Sequence, residues 1–237
     1  MRIELPSSDG TPESPGLPYP QRIALSALMY LQAVIFLYSV HDAAAGEIPK
    51  DPSLYARVES LMDSHEQGTW ASGWGFVSGF DDVLSSLVMQ DALIACLSQW
   101  DWYIRRLGAW VAFAESSRPA SMASADDMRQ LGRVDQHPIG SQLELLERVS
   151  GAAFDFDGAH LGALREMTAV RNIGIHNRWE CDEKYLSSTA QTGLNVGDLR
   201  MFDGAELQGW HSVLQETISR VSLLLANRYE SAPAFPG

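Results

Sequence analysis

Eighteen consecutive residues, IALSALMYLQAVIFLYSV from Ile23 to Val40, contain no Asp, Glu, Lys or Arg. A helix that is apolar on every side must be enclosed, either by other helices or by lipid. Eighteen residues is also the lower bound for a membrane span. Gln32, Tyr30, Tyr38, Ser26 and Ser39 dilute the run, and no Lys/Arg cluster marks a flank. The pattern predicts a buried bundle helix over about 21–45, ending near Gly46 and Pro49. A membrane-associated helical protein built around 23–40 is the minor alternative.

Helical periodicity governs most of the chain beyond this run. Asp51-Pro52 pairs an N-cap with a proline at the first helical position. A second helix is therefore expected to about 67, followed by a loop over 69–79 containing Trp70 and Trp74. Val83, Leu84, Leu87, Val88, Leu93, Ile94, Leu97 and Trp100 recur at helical spacing. They predict a long helix over 82–115, with Gly108 as the place for a kink. Residues 116–140 read as a connection with one short helical turn near 126–132. Leu143, Leu145, Leu146 and Val149 predict a helix ending near Gly151. Asp157 caps the next, in which Leu161, Leu164, Met167 and Val170 form an apolar stripe. Residues 187–203 are polar and hold Gly193 and Gly197, which predicts a long loop with room for a short hairpin. A final helix over 205–228 runs through Leu207, Trp210, Leu214, Ile218, Val221 and Leu225. Pro6, Pro12, Pro15, Pro18 and Pro20 mark 1–20 as a flexible Pro-rich tail. Residues 21–230 are left as a single domain: all-α, an antiparallel helical bundle with a long loop before the C-terminal helix.

The net charge of −13 argues against avid non-specific binding of nucleic acid, which needs a broad basic surface. A small basic site is still allowed, and Arg165, Arg171 and Arg178 lie close together in the chain. Lys50 and Lys184 are the only lysines. Cys96 and Cys181 make no framework and suit a reducing cytosol. No positive segment precedes an apolar run at the start, so no signal peptide is expected. A cytoplasmic location is the resulting expectation.

One stretch speaks of chemistry: residues 165–186, REMTAVRNIGIHNRWECDEKYL. Arg171 and His176 bracket four residues, with Asn172 directly after the arginine and Asn177 directly after the histidine. An arginine that grips a phosphate and a histidine that moves a proton are the least equipment for metal-free cleavage of RNA. Residues 142–186, from QLELLERVSGAAFDFDGAHLGALREM through RNIGIHN to DEKYL, resemble the last half of a HEPN domain of the prokaryotic defence kind. The signature of that superfamily is R-x4-6-H. The close likeness covers about a fifth of the chain.

The resemblance implies a HEPN-like fold and a metal-independent endoribonuclease, acting as a toxin or anti-phage effector. Its partners would be an RNA substrate, a second copy of the chain, and an antitoxin or regulatory partner; no cofactor or metal is expected, and no membrane. His176 would take the proton of a ribose 2′-hydroxyl or give one to the leaving 5′-oxygen. Arg171 would hold the phosphate and stabilise its developing charge. Asn172 would donate to the phosphate or fix the imidazole. Glu166 would orient Arg171, although an ion pair alone explains that glutamate as well, and Asn177 would support the histidine. Many HEPN-like domains only dimerise or scaffold, so a non-catalytic module is the alternative.

Other residues say less. His41-Asp42 echoes a metal-binding pair, but ligands at helical spacing are missing, and a helix-end histidine is the simpler account. His65, His137, His160 and His211 are scattered. Trp70, Trp74, Trp100, Trp102 and Trp110 are capable of stacking bases, yet such spacing is more often core. Cys181 close to the motif reads as a passive residue before a redox-sensitive one.

Five residues of straight helix turn through about 140° net, so Arg171 and His176 do not share a face, whereas Asn172 and His176 do. Convergence needs either a helix that ends or loosens at Gly174 or a second copy. We therefore expect a homodimer at micromolar concentration; sedimentation that gives only monomer, with and without RNA, counts against it.

Overall fold

A computed structural model of the chain describes residues 17–47, 80–118, 123–189, 191 and 193–230. The expected helix over 51–67 and the loop over 69–79 lie outside the described residues. The described part is helical, with no strand and seven α-helices: α1 (Tyr19–Glu47), α2 (Phe80–Ser116), α3 (Ala125–Leu131), α4 (Ile139–Ser150), α5 (Gly158–Asn177), α6 (Glu183–Ser188) and α7 (Gly204–Arg228). A 3-10 turn, Val134–Gln136, links α3 to α4. The all-α expectation holds.

Three long helices make the frame. α1 packs on α2 and α7. Tyr19 stacks on Trp110, while Tyr38 lies against Gly204, so α1 runs antiparallel to α7. α2 and α7 run in the same direction. The Tyr103 hydroxyl reaches Ser222 (2.6 Å), and further along Tyr229 meets Glu115 (2.7 Å) and the edge of Trp110. An antiparallel bundle was expected throughout. The α2/α7 pair departs from it because the connection through α3 to α6 carries the chain back to its starting end. Trp100 donates its indole N–H to Gln142 on α4 (2.7 Å), so a core aromatic is polar-satisfied rather than base-stacking.

The helix starts reflect local chemistry. Ser124 and Asp127 form a reciprocal capping box on α3. Asp157 caps α5 through His160 N–H (2.8 Å), and Asp203 caps α7 through Glu206 N–H (2.8 Å). Gly151, at φ 68°, ends α4 in the left-handed conformation that glycine adopts without strain.

α1 departs from expectation in its start and in its exposure. α1 begins at Tyr19, not beyond a tail ending at residue 20, and Tyr19 and Pro20 are buried. A proline fits the first helical turn, where its missing N–H is not needed, and the Pro18 carbonyl accepts from Gln21 and Arg22. The run 23–40 is enclosed on one face only. Ile23, Ala27, Leu31 and Tyr38 are buried, whereas Leu25, Met29, Phe36, Leu37 and Val40 are exposed among the described residues. Tyr19–His41 is long and apolar enough to cross a membrane by length and composition, with mean hydropathy 1.9.

α2 continues through Gly108 without a break. A Cβ there would lie 2.7 Å from Val134 Cγ1 and 2.8 Å from the Leu131 carbonyl oxygen. The glycine serves a close approach between α2 and the turn after α3. Gly108→Ala should therefore destabilise by about 1–3 kcal/mol, as overpacking does. Trimming Val134 to Ala alongside it should restore only part, because the backbone carbonyl cannot be trimmed; chemical denaturation of both variants checks this.

Candidate functional site

α5 carries the R-x4-H stretch as one unbroken helix to Asn177. It does not end at Gly174. Leu164, Met167, Val170 and Ile173 face the core, which settles where every other side chain of the helix must go. The helix stops at two left-handed residues, Arg178 (φ 52°) and Trp179 (φ 68°), whose N–H groups both reach back to the Ile173 carbonyl. The turn lays the Trp179 ring across Gly174, where a Cβ would sit 2.4 Å from Cη2. Gly174 is thus a platform for an indole, not a hinge.

His176 is exposed and Asn172 half-buried, and both line a cleft of about 170 Å³ between α5 and α6. Asn177, Asp182, Lys184, Tyr185 and Ser188 complete its polar lining. On its other side His176 borders a second, wider cleft of about 450 Å³, formed with Arg178, Glu180, Val196 and Gly197. The histidine therefore stands on the ridge where two clefts meet.

Arg171 lines neither cleft. It is half-buried and turns toward α2, where its Nη2 lies 3.5 Å from Asp101 Oδ2. Its Nε is buried without a hydrogen-bond partner among the described residues. The pairing is loose: burial pushes the Asp101 carboxyl above its usual range even against the pull of Arg171. The chain brings Asn172 and His176 together and leaves Arg171 on another face, as the helical offset requires.

Glu166 does not approach Arg171 as an orienting group. It accepts from the Tyr185 hydroxyl (2.6 Å) and pairs with Arg200 (3.3 Å). Arg200 is buried, donates Nε to the Tyr185 oxygen (2.9 Å), reaches Glu206 (2.6 Å) and bonds the Met201 carbonyl. These bonds hold the guanidinium charged, with its pKa raised against the opposing effect of burial, while burial and Glu166 push the Tyr185 phenol well up. Asn177 donates to Asp182 (2.6 Å), whose other oxygen caps α6 through the Tyr185 N–H (2.6 Å). Asn177 supports the cleft wall, and among the described residues it makes no bond to His176.

The other histidines within the described residues have different surroundings. His160 stacks on Phe156, bonds Thr217 (2.7 Å) and has its pKa lowered by burial. His211 is buried on α7, and burial lowers it too. His41 is exposed on α1. Cys181 is buried, which raises its thiol and suits a passive residue.

Helix α6 and Arg200 went unforeseen. Six residues are too few to show a period, although Asp182 placed three before Tyr185 is a legible N-cap. Arg200 sits in an irregular segment whose ordered part is a single antiparallel bridge, Glu180 to Leu199; the room left for a hairpin is used no further among the described residues. Comparison with models of known protein families, with curated proteins and with solved structures gives no match.

Replacing Arg200 by Met should cost about 3 kcal/mol, because it leaves the mostly enclosed Glu166 carboxylate without its cation. Converting Glu166 to Gln in the same chain should recover part of that loss. With Glu166→Gln alone completing the cycle, losses that simply add in the double variant would show that the pair is not coupled.

Proposed function

We propose that the chain is a metal-independent endoribonuclease of HEPN type whose site is completed by a second copy. The observation that carries the reading is His176: it stands exposed beside Asn172 where two clefts meet, with no hydrogen bond or ion pair among the described residues. Clefts on both sides leave room for a strand to pass with its scissile phosphate at the imidazole. The ring would take the 2′-hydroxyl proton as the 2′-oxygen attacks phosphorus, and the departing 5′-oxygen would take up a proton in turn. The products would be a 2′,3′-cyclic phosphate and a 5′-hydroxyl. Arg171 would reach this phosphate from the partner copy, since its own helix turns it away. A role as toxin or anti-phage effector and a cytoplasmic location belong to the same proposal.

One observation favours the second reading, a non-catalytic dimerisation or scaffold module. Arg171 already has a carboxylate neighbour inside its own protomer.

Purified protein should cleave RNA in EDTA and leave cyclic phosphate termini. Arg171→Ala and His176→Ala should each lower the rate by about 10² or more, and Arg171→Lys should rescue poorly because an ammonium lacks the planar fork. Asn172→Ala should matter less. Mixing the two alanine variants should restore up to about a quarter of the activity, since a mixed dimer holds one intact composite site. Cleavage undiminished in His176→Ala rejects the ribonuclease, and cleavage by wild type with no restoration in the mixture rejects the shared site.

A further inference from the structure

We propose that Lys184 supplies, from within a single protomer, a second phosphate-binding charge at the His176 cleft in addition to the second copy's Arg171, with Asn172 as a neutral donor beside it. The ligand class, an RNA phosphodiester, rests on the ribonuclease reading. The residue itself lies outside the R-x4-H pattern.

The cleft needs a cation that its own arginine does not give, because Arg171 faces α2. Lys184 meets that need through the local fold. Asp182 caps α6, and the next turn is pinned where Tyr185 is buried against Glu166 and Arg200. Lys184 is thereby left exposed on the cleft wall facing α5. Its ammonium makes no ion pair or hydrogen bond among the described residues. Asp182, the acidic residue of that wall, has both oxygens occupied, one by Asn177 and one by the Tyr185 N–H. Neither oxygen pairs with the Lys184 ammonium among the described residues.

Size and chemistry then narrow the ligand. A cleft of about 170 Å³ holds the equivalent of about six waters. That is room for a phosphate with part of its hydration. A lysine is a compact charge with three rotatable donors and imposes no planar geometry. A charge of this kind would hold the backbone phosphate and by itself read little sequence.

The test is a titration with inorganic phosphate, and separately with uridine 3′-monophosphate, followed through the imidazole resonances of His176. Wild type is compared with Lys184→Gln, Lys184→Arg and, as an equal change of net charge on the exposed face of α3, Arg129→Gln. Lys184→Gln should bind about tenfold more weakly. Lys184→Arg should retain most of the affinity and Arg129→Gln all of it. Resonances that ignore phosphate, or equal weakening in Lys184→Gln and Arg129→Gln, overturn the proposal. RNA cleavage by the same proteins separates the two readings. Selective weakening in Lys184→Gln without cleavage by any variant keeps the phosphate site and removes the ribonuclease. Cleavage with unchanged kcat and KM in Lys184→Gln keeps the ribonuclease and removes Lys184.

Discussion

The carboxylate of Glu166 faces the inside of the molecule, and its need for partners organises everything around the motif. A buried charge is tolerable only if paired and hydrogen-bonded. Tyr185 and Arg200 meet that need from two different segments, one on α6 and one just before α7. Bringing both to one carboxylate ties the return of the chain to the middle of α5. Glu206 at the start of α7 then shares the same guanidinium. Four parts of the chain converge on one ionic group, and the cleft beside His176 is the space left between α5 and the helix that this group pins.

The division of the R-x4-H stretch between two faces is a consequence of the same helix. Met167, Val170 and Ile173 must point inward. Once they do, Arg171 is carried toward α2 and His176 toward α6. No adjustment at Gly174 relieves this, because the Trp179 ring occupies the space beside its backbone. A single chain thus turns Arg171 and His176 to different sides, and a chemistry at His176 within that chain has to draw its positive charge from elsewhere.

Much of the fold was legible because long helices declare themselves by period and caps. Leu93, Leu97, Trp100 and Ile104 lie on one side of α2, and Asp157 and Asp203 announce the starts of α5 and α7. The prolines misled at one boundary, since Pro20 opens a helix as readily as it ends a tail. The charge-free run of α1 told of a helix but not of its faces: with almost no polar residue to mark an outer side, Phe36 and Leu31 look alike in sequence, yet one is bare and the other enclosed. Of the site, the Asn172–His176 pairing was readable from i,i+4 spacing. The partners of Glu166 were not, because they come from 19 and 34 residues away through segments without periodicity.

The contact between Gly174 and Trp179 bears on how this chain could drift over generations. An alanine at 174 is a single, ordinary replacement, yet it collides with a ring that is itself fixed by a double left-handed turn and by Phe202. A smaller residue at 179 would admit the alanine but would uncover the helix end. Neither replacement is comfortable without the other, so the two positions should change as a pair or stay as they are. The four residues between them, His176 included, are enclosed by that pair and inherit its restraint.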